Sequence, residues 1–378
     1  MAILPDDFYS LGSDSEEITR NNSLWVVVPT VRPDSIRNFL DLWRVEDIPG
    51  VRFLFVNDGM SVFDNEGILE TSWEQIDEIL GSGSWIIPRK TDCVRSFGFL
   101  MAARMGAKYI ISMDDDCFPS EGRPENFFMD HLKILSSGIH PSFSTTGHRL
   151  LNMRPRGLPR RDVMTSLPSR RILINHGLWD GQLDLAGDDA VNTMSQFGRN
   201  DVPMTWLPPR FDIVPQGFFY PMCGMNVSFS VDMLPAMYFT LQGTMHVDGV
   251  DHALDYDRWG DIWCGLFSKI VADNIGGYVS SGTPRVFHSR ASSATKNRDK
   301  ERAGLFLHPK MVSHLMQDGI VKRRDVINFE NVGEMYVEIA DSLREVGGAT
   351  NDERAYLILL SEAMKQWVET CLTFVQNS

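Results

Sequence analysis

Three short apolar runs in the first third of the chain constrain its fold more than any other feature. "LWVVVPT" (24–30), "VRFLFVNDG" (51–59) and the "KYIISM" before Asp114 are nearly uninterrupted and rich in β-branched residues. Runs of that kind suit strands covered on both faces. Between them, "SIRNFLDLWR" (35–44) carries Ile36, Phe39, Leu40 and Trp43 at helical spacing, and "SFGFLMAARMGA" (96–107) reads as an amphipathic helix feeding the third strand. Residues 61–81 suggest short helices, and "SWIIP" (84–88) reads as a further brief strand. Strand–helix–strand alternation predicts an α/β fold with a mainly parallel central sheet and a ligand site beyond the carboxyl ends of its strands.

The remainder reads less regularly. Residues 1–22 are acidic and polar, a flexible tail, and "MAILPDDFYSLGSDSEE" has neither the basic start nor the apolar stretch of a secretory signal. Residues 150–220, rich in Arg, Pro and Gly, read as long active-site connections. A strand is expected over 224–231, a helix over 259–276 and helices from about 304 onward. The chain therefore divides into a tail (1–22), a catalytic domain (23–303) and a helical C-terminal extension (304–378). A formal net charge of −14 argues against a nucleic-acid surface, and no apolar run is long enough to cross a bilayer. Five scattered cysteines without a C-x-x-C pair argue against a disulfide framework or zinc site and make a cytoplasmic location the expectation.

Asp114, Asp115 and Asp116 follow the third strand directly. Three like charges at a strand end call for a compensating cation, and carboxylates suit Mn²⁺ or Mg²⁺, which take oxygen ligands from one or two side chains plus substrate phosphates. In an extended segment alternate residues share a side, so Asp114 and Asp116 would hold the ion and Asp115 would turn elsewhere, toward a sugar hydroxyl. For an isolated D-x-D a solvated acidic turn is the commoner reading; the strand directly before it and the acidic "NDG" ending another strand bring the two readings level. With "NDG" ending a neighbouring strand, the arrangement resembles nucleotide-sugar glycosyltransferases of the A-type, Rossmann-like fold. That resemblance implies a metal-bridged UDP-sugar, with Thr30, Arg32 and Asp58 against the uridine.

The blocks "VPTVR", "NDG", "RSFGF", "MDDDCF", "NHGLWD", "YPMCGMNVSFS", "PAMYF", "RWGDIWCG" and "FHSRAS" narrow the resemblance. Their order and spacing over about residues 24–293 are similar to the reversibly glycosylated polypeptides. The resemblance implies a metal-dependent UDP-pentose mutase, interconverting arabinopyranose and arabinofuranose, with self-glycosylation on an arginine. A glycosyltransferase with a separate acceptor and a non-catalytic UDP-sugar-binding scaffold are the alternatives. It further implies His288 as a third metal ligand, Arg95 toward the nucleotide or sugar, His176 and Trp179 around the sugar, and Asp261 near the sugar ring or acceptor. For Asp261, a charge early in a helix is an equal reading. Arg161 best matches the glycosylated arginine, with Arg160, Arg170 and Arg171 open and a diphosphate grip an equal role for the cluster. The chain departs from the family where paired acids are usual in "RWGDIW": Gly260 precedes Asp261. In the last helix, Tyr356, Leu359, Leu360, Ala363, Trp367 and Cys371 form a stripe too apolar for water. It packs on the catalytic domain or a second subunit, and the family's self-association points to a homo-oligomer.

Overall fold

The computed structural model describes residues 23–59, 69–120, 122, 124–136, 142–144, 164–166, 170–182, 191, 201–202, 211–247, 249–289, 294–317 and 319–376. In chain order the strands are β1 (Leu24–Thr30), β2 (Val51–Asn57), β3 (Leu69–Thr71), β4 (Tyr109–Met113), β5 (Cys117–Pro119), β6 (Ser142–Ser144) and β7 (Met164–Ser166). They continue as β8 (Ile172–Gln182), β9 (Asp201–Val202), β10 (Phe211–Val214), β11 (Asn226–Ser230), β12 (Gly243–Val247), β13 (Val250–Leu254) and β14 (Tyr278–His288). The helices are α1 (Pro33–Trp43), α2 (Trp73–Leu80), α3 (Val94–Arg104), α4 (Pro124–Ser136), α5 (Gly260–Asn274), α6 (Ala294–Glu301), α7 (Gly304–Leu315), α8 (Phe329–Leu343) and α9 (Asn351–Gln376).

Among the described residues the central sheet runs β10-β14-β8-β11-β4-β1-β2-β3. β4, β1, β2 and β3 are mutually parallel, and β8 is parallel to β14. β11 lies antiparallel between β4 and β8, and β10 antiparallel on the edge, so six of these eight strands share one direction. The expected α/β fold with a mainly parallel sheet and C-terminal helices is what forms. β1 is buried on both faces, as its run of β-branched residues implies. Trp25 and Val27 join the core beneath α3, while Leu24, Val26 and Val28 join the one beneath α1 and α4.

Several local expectations are overturned. Residues 81–86 form a 3₁₀ turn rather than leading into a strand at 84–88, with Ile86 and Ile87 both anchored in the core just before Pro88. α3 starts at Val94 and is buried nearly all round instead of amphipathic, since the sheet lies on one side and α9 on the other. It approaches closely at Gly98, where a Cβ would meet Val27 Cγ1 and Val56 Cγ2 at 2.5 Å. Within 150–220, residues 172–182 are not a connection but the central strand β8. Its polar residues hid it: Asn175 is fully buried, donating to Thr283 O (3.1 Å) and accepting from Ser280 Oγ (2.8 Å). His131 from α4 completes this network, facing Asn226 Oδ1 at 2.9 Å and Ser228 Oγ at 2.7 Å. Burial pushes its pKa down to about 3, so the ring stays neutral.

The α9 stripe is covered by this chain itself. Tyr356, Leu360, Ala363, Trp367 and Cys371 are buried in the same core as β1 and α3, with Leu359 packed at its margin. Trp367 stacks on Tyr238 at 5.6 Å, and Tyr356 Oη donates to Leu241 O at 2.7 Å. The stripe therefore gives no reason to expect a second subunit.

Candidate active site

At the carboxyl ends of β1, β2 and β4 lies a cavity of about 650 Å³, where the alternation of the fold predicts a ligand site. β4 ends at Met113, and Asp114–Cys117 is a turn closed by Cys117 N–H to Asp114 O (3.2 Å). Strand alternation therefore does not govern the three aspartates, and each takes its own partner. Asp114 accepts from Arg95 Nη2 at 2.7 Å. Asp115 is buried and accepts from Thr30 Oγ1 (2.8 Å) and from the Arg32 guanidinium. Burial pushes its carboxyl up, against the pull of Arg32 and Thr30. Asp116 Oδ1 stands 3.9 Å from His288 Nε2. That juxtaposition has a topological cause: β14 pairs with β5, setting His288 opposite Cys117, and Ser289 N–H donates to Asp116 O at 3.1 Å.

Arg95 is a buried bracket rather than a free cation facing the ligand, although it borders the cavity. Besides Asp114 it binds Asp92 through Nε (2.7 Å), Ser112 Oγ (2.7 Å) and Gly224 O (2.8 Å), and it lies 4.9 Å over the Phe239 ring. Desolvation opposes its charge, yet Asp92 and Asp114 hold its pKa above the ordinary arginine value. Gly224 is required here, because a Cβ would meet Phe239 Cε1 at 2.6 Å and Arg95 Nη1 at 2.9 Å.

Thr30, Arg32, Asp58, Arg95, Asp114, Asp115, Asp116, Asp261 and His288 all line the one cavity. Asp58 accepts at Oδ1 from Trp73 Nε1 and Lys90 N–H, both at 2.8 Å, and burial raises its pKa. Asp261, at the start of α5, accepts at Oδ2 from Gly224 N–H (3.3 Å). His176 and Trp179 lie behind this wall. His176 Nε2 meets Cys223 Sγ at 3.3 Å, its Nδ1 meets Tyr220 Oη at 2.9 Å, and burial lowers its pKa to about 4. Cys223, not His176, borders the cavity. Arg161 and Arg160 lie outside the described residues. Arg170 and Arg171 precede β8 at its amino end; Arg171 pairs with Asp232 at 2.9 Å, and neither lines the cavity.

Sequence reasoning missed Asp92, Lys90, Gln242, Asp257, Arg258 and Lys300 on the cavity wall. Lys90 and Arg258 both adopt left-handed backbone (φ 57° and 66°), a strain common at functional sites that no local motif announces. The signal for Arg258 was its place in "RWGDIW". Seven aspartates face the cavity against five basic side chains, two of which are already committed to Asp114 and Asp115.

Do these residues fit a divalent ion? Oxygen and imidazole ligands roughly 2.1 Å from one ion lie roughly 3–4 Å apart. Asp116 and His288 meet that spacing at 3.9 Å. Among the described residues no group of three or more His, Cys, Asp or Glu is placed to hold a metal ion by itself. The donors therefore fit an ion held by two side chains and completed by substrate oxygens.

Fold and cavity together define an α/β protein with an acid-rich ligand site at a parallel sheet's carboxyl edge. The family model described as reversibly glycosylated polypeptide matches residues 19–375, and the chain belongs to that family. It is 30% identical over 365 residues to UDP-arabinopyranose mutase 1 of Oryza sativa subsp. japonica, covering 92% of this chain and 90% of that one. It is 29% identical over 371 residues to UDP-arabinopyranose mutase 3 of Arabidopsis thaliana, with the same coverage. A solved mycobacterial protein aligns at a TM-score of 0.40 and 13% identity over 82% of each chain. No described helix is long and apolar enough to cross a membrane.

Proposed function

We propose that this protein is a divalent-cation-dependent UDP-sugar mutase that interconverts the pyranose and furanose forms of a UDP-pentose. The observation that carries the reading is the excess of aspartates around a cavity that must take a diphosphate. Five basic side chains cannot neutralise seven carboxylates and a diphosphate together, so binding calls for an added cation. Asp116 and His288 would hold it with Asp114 alongside, and the ion would supply charge neutralisation on the departing UDP. The chain's own residues do the positioning. Thr30 and Arg32 fix Asp115, Arg95 fixes Asp114, and the Gly224 N–H bond fixes Asp261. Holding UDP and the pentose in register through ring contraction requires this kind of rigid frame. Arg161 remains the proposed site of self-glycosylation, with Arg160, Arg170 and Arg171 as the other candidates.

The test is incubation of UDP-arabinopyranose with the protein and Mn²⁺, read by chromatography. The expected product is a second UDP-pentose, lost on chelation and in Asp116→Ala. Slow hydrolysis to UDP would favour a transferase, binding without turnover would favour a scaffold, and full activity of Asp116→Ala would sink the metal assignment.

A further inference from the structure

The Gln242 side chain is an anomaly in the cavity wall. It is fully buried, and its Oε1 accepts from Arg258 N–H at 3.0 Å. The amide orientation is thereby settled, since the opposite assignment would set N–H against N–H. Its Nε2 has no hydrogen-bond partner among the described residues. A buried donor without an acceptor costs about 1–3 kcal/mol, so such groups persist where something else satisfies them.

The surroundings show what could. Gln242 lines the cavity together with Asp257, Arg258 and Asp261. The amide packs directly against Gly260, where a Cβ would lie 2.2 Å from Gln242 Nε2.

We propose that the Gln242 carboxamide is a specificity determinant that donates through Nε2 to a hydroxyl or ring oxygen of the sugar. This rests on the UDP-sugar reading and deepens it by naming the group that recognises the sugar half. Asp261 accepts hydrogen bonds and Gln242 donates them, so the pair grips a sugar oxygen that does both. Gly260 is the space-maker that lets the amide stand there.

The experiment compares wild type, Gln242→Met and Gln242→Glu for binding of UDP and of UDP-arabinopyranose in the presence of Mn²⁺. Both variants are expected to bind UDP as wild type does. Gln242→Met should bind the UDP-sugar about tenfold more weakly, the worth of one hydrogen bond to a buried donor. Gln242→Glu keeps an acceptor for Arg258 N–H but presents a carboxylate to the sugar at neutral pH. Its UDP-sugar affinity should recover as pH falls from about 8 to about 5, where a buried carboxyl regains its proton and can donate. Wild type should show no such recovery. Equal loss of UDP and UDP-sugar binding in Gln242→Met would mean a merely structural role and would overturn the proposal. So would unchanged UDP-sugar affinity in both variants. If wild type binds no UDP, the functional reading fails first, a result distinct from either.

Discussion

Replacing Arg95 by leucine removes a cation that ties the aspartate turn to α3 and to Gly224. The side chain makes four kinds of contact: Asp92 and Asp114, each at 2.7 Å, Ser112 Oγ at 2.7 Å and Gly224 O at 2.8 Å. Breaking a buried ion pair by deleting one partner costs about 3–5 kcal/mol. Asp92 and Asp114 keep 27% and 33% of their side-chain surface, so water recovers part of that loss. We expect Arg95→Leu to lose about 3 kcal/mol, a large share of the ~5–15 kcal/mol that holds a domain together. Arg95→Lys should fall between, because one ammonium cannot span both carboxylates and the Gly224 carbonyl. Urea unfolding followed by tryptophan fluorescence measures both. Adding Asp114→Asn to Arg95→Leu should restore about 1 kcal/mol, since it removes one stranded charge. A leucine variant within 1 kcal/mol of wild type, or a double variant whose losses simply add, would refute the bracket. Turnover should drop in Arg95→Leu even at temperatures where it stays folded, because Asp114 is no longer aimed.

Acid stability follows from the buried histidines. His131, His176 and His308 have pKa values lowered by burial to about 3, about 4 and about 4. The unfolded chain binds those protons first, so stability is full above pH ~6.5 and falls as pH drops toward 4, by about 1.4 kcal/mol per unit per histidine. Denaturation midpoints between pH 7 and 4.5 test this, and His131→Asn should flatten the slope; a flat wild-type profile would contradict it. In α9, Trp367→Ala should cost about 3–5 kcal/mol as a core cavity, read by thermal melting. A loss confined to oligomer mass in light scattering, with the melt unchanged, would mean that the stripe faces another subunit instead.

The sequence by itself determined the parallel half of the sheet, because β-branched runs such as Leu24–Thr30 can only be buried on both faces. It also located one part of the cavity wall, since residues at the ends of parallel strands must converge on one edge whatever the loops do. Thr30, Asp58, Asp114, Asp115 and Asp116 are of that kind. What it could not decide were contacts made across the fold. β8 was illegible because Asn175, His176 and Asp180 look solvent-facing until their partners are in place: His131 and Ser280 for Asn175, Tyr220 for His176 and Ser120 for Asp180. The roles of Arg95 and Gln242 depend on neighbours far away in the chain, Gly224 for one and Arg258 and Gly260 for the other. The destination of the α9 stripe was equally open. Amphipathicity says that a face must be covered, but only the packing of Trp367 on Tyr238 decides that this chain covers it.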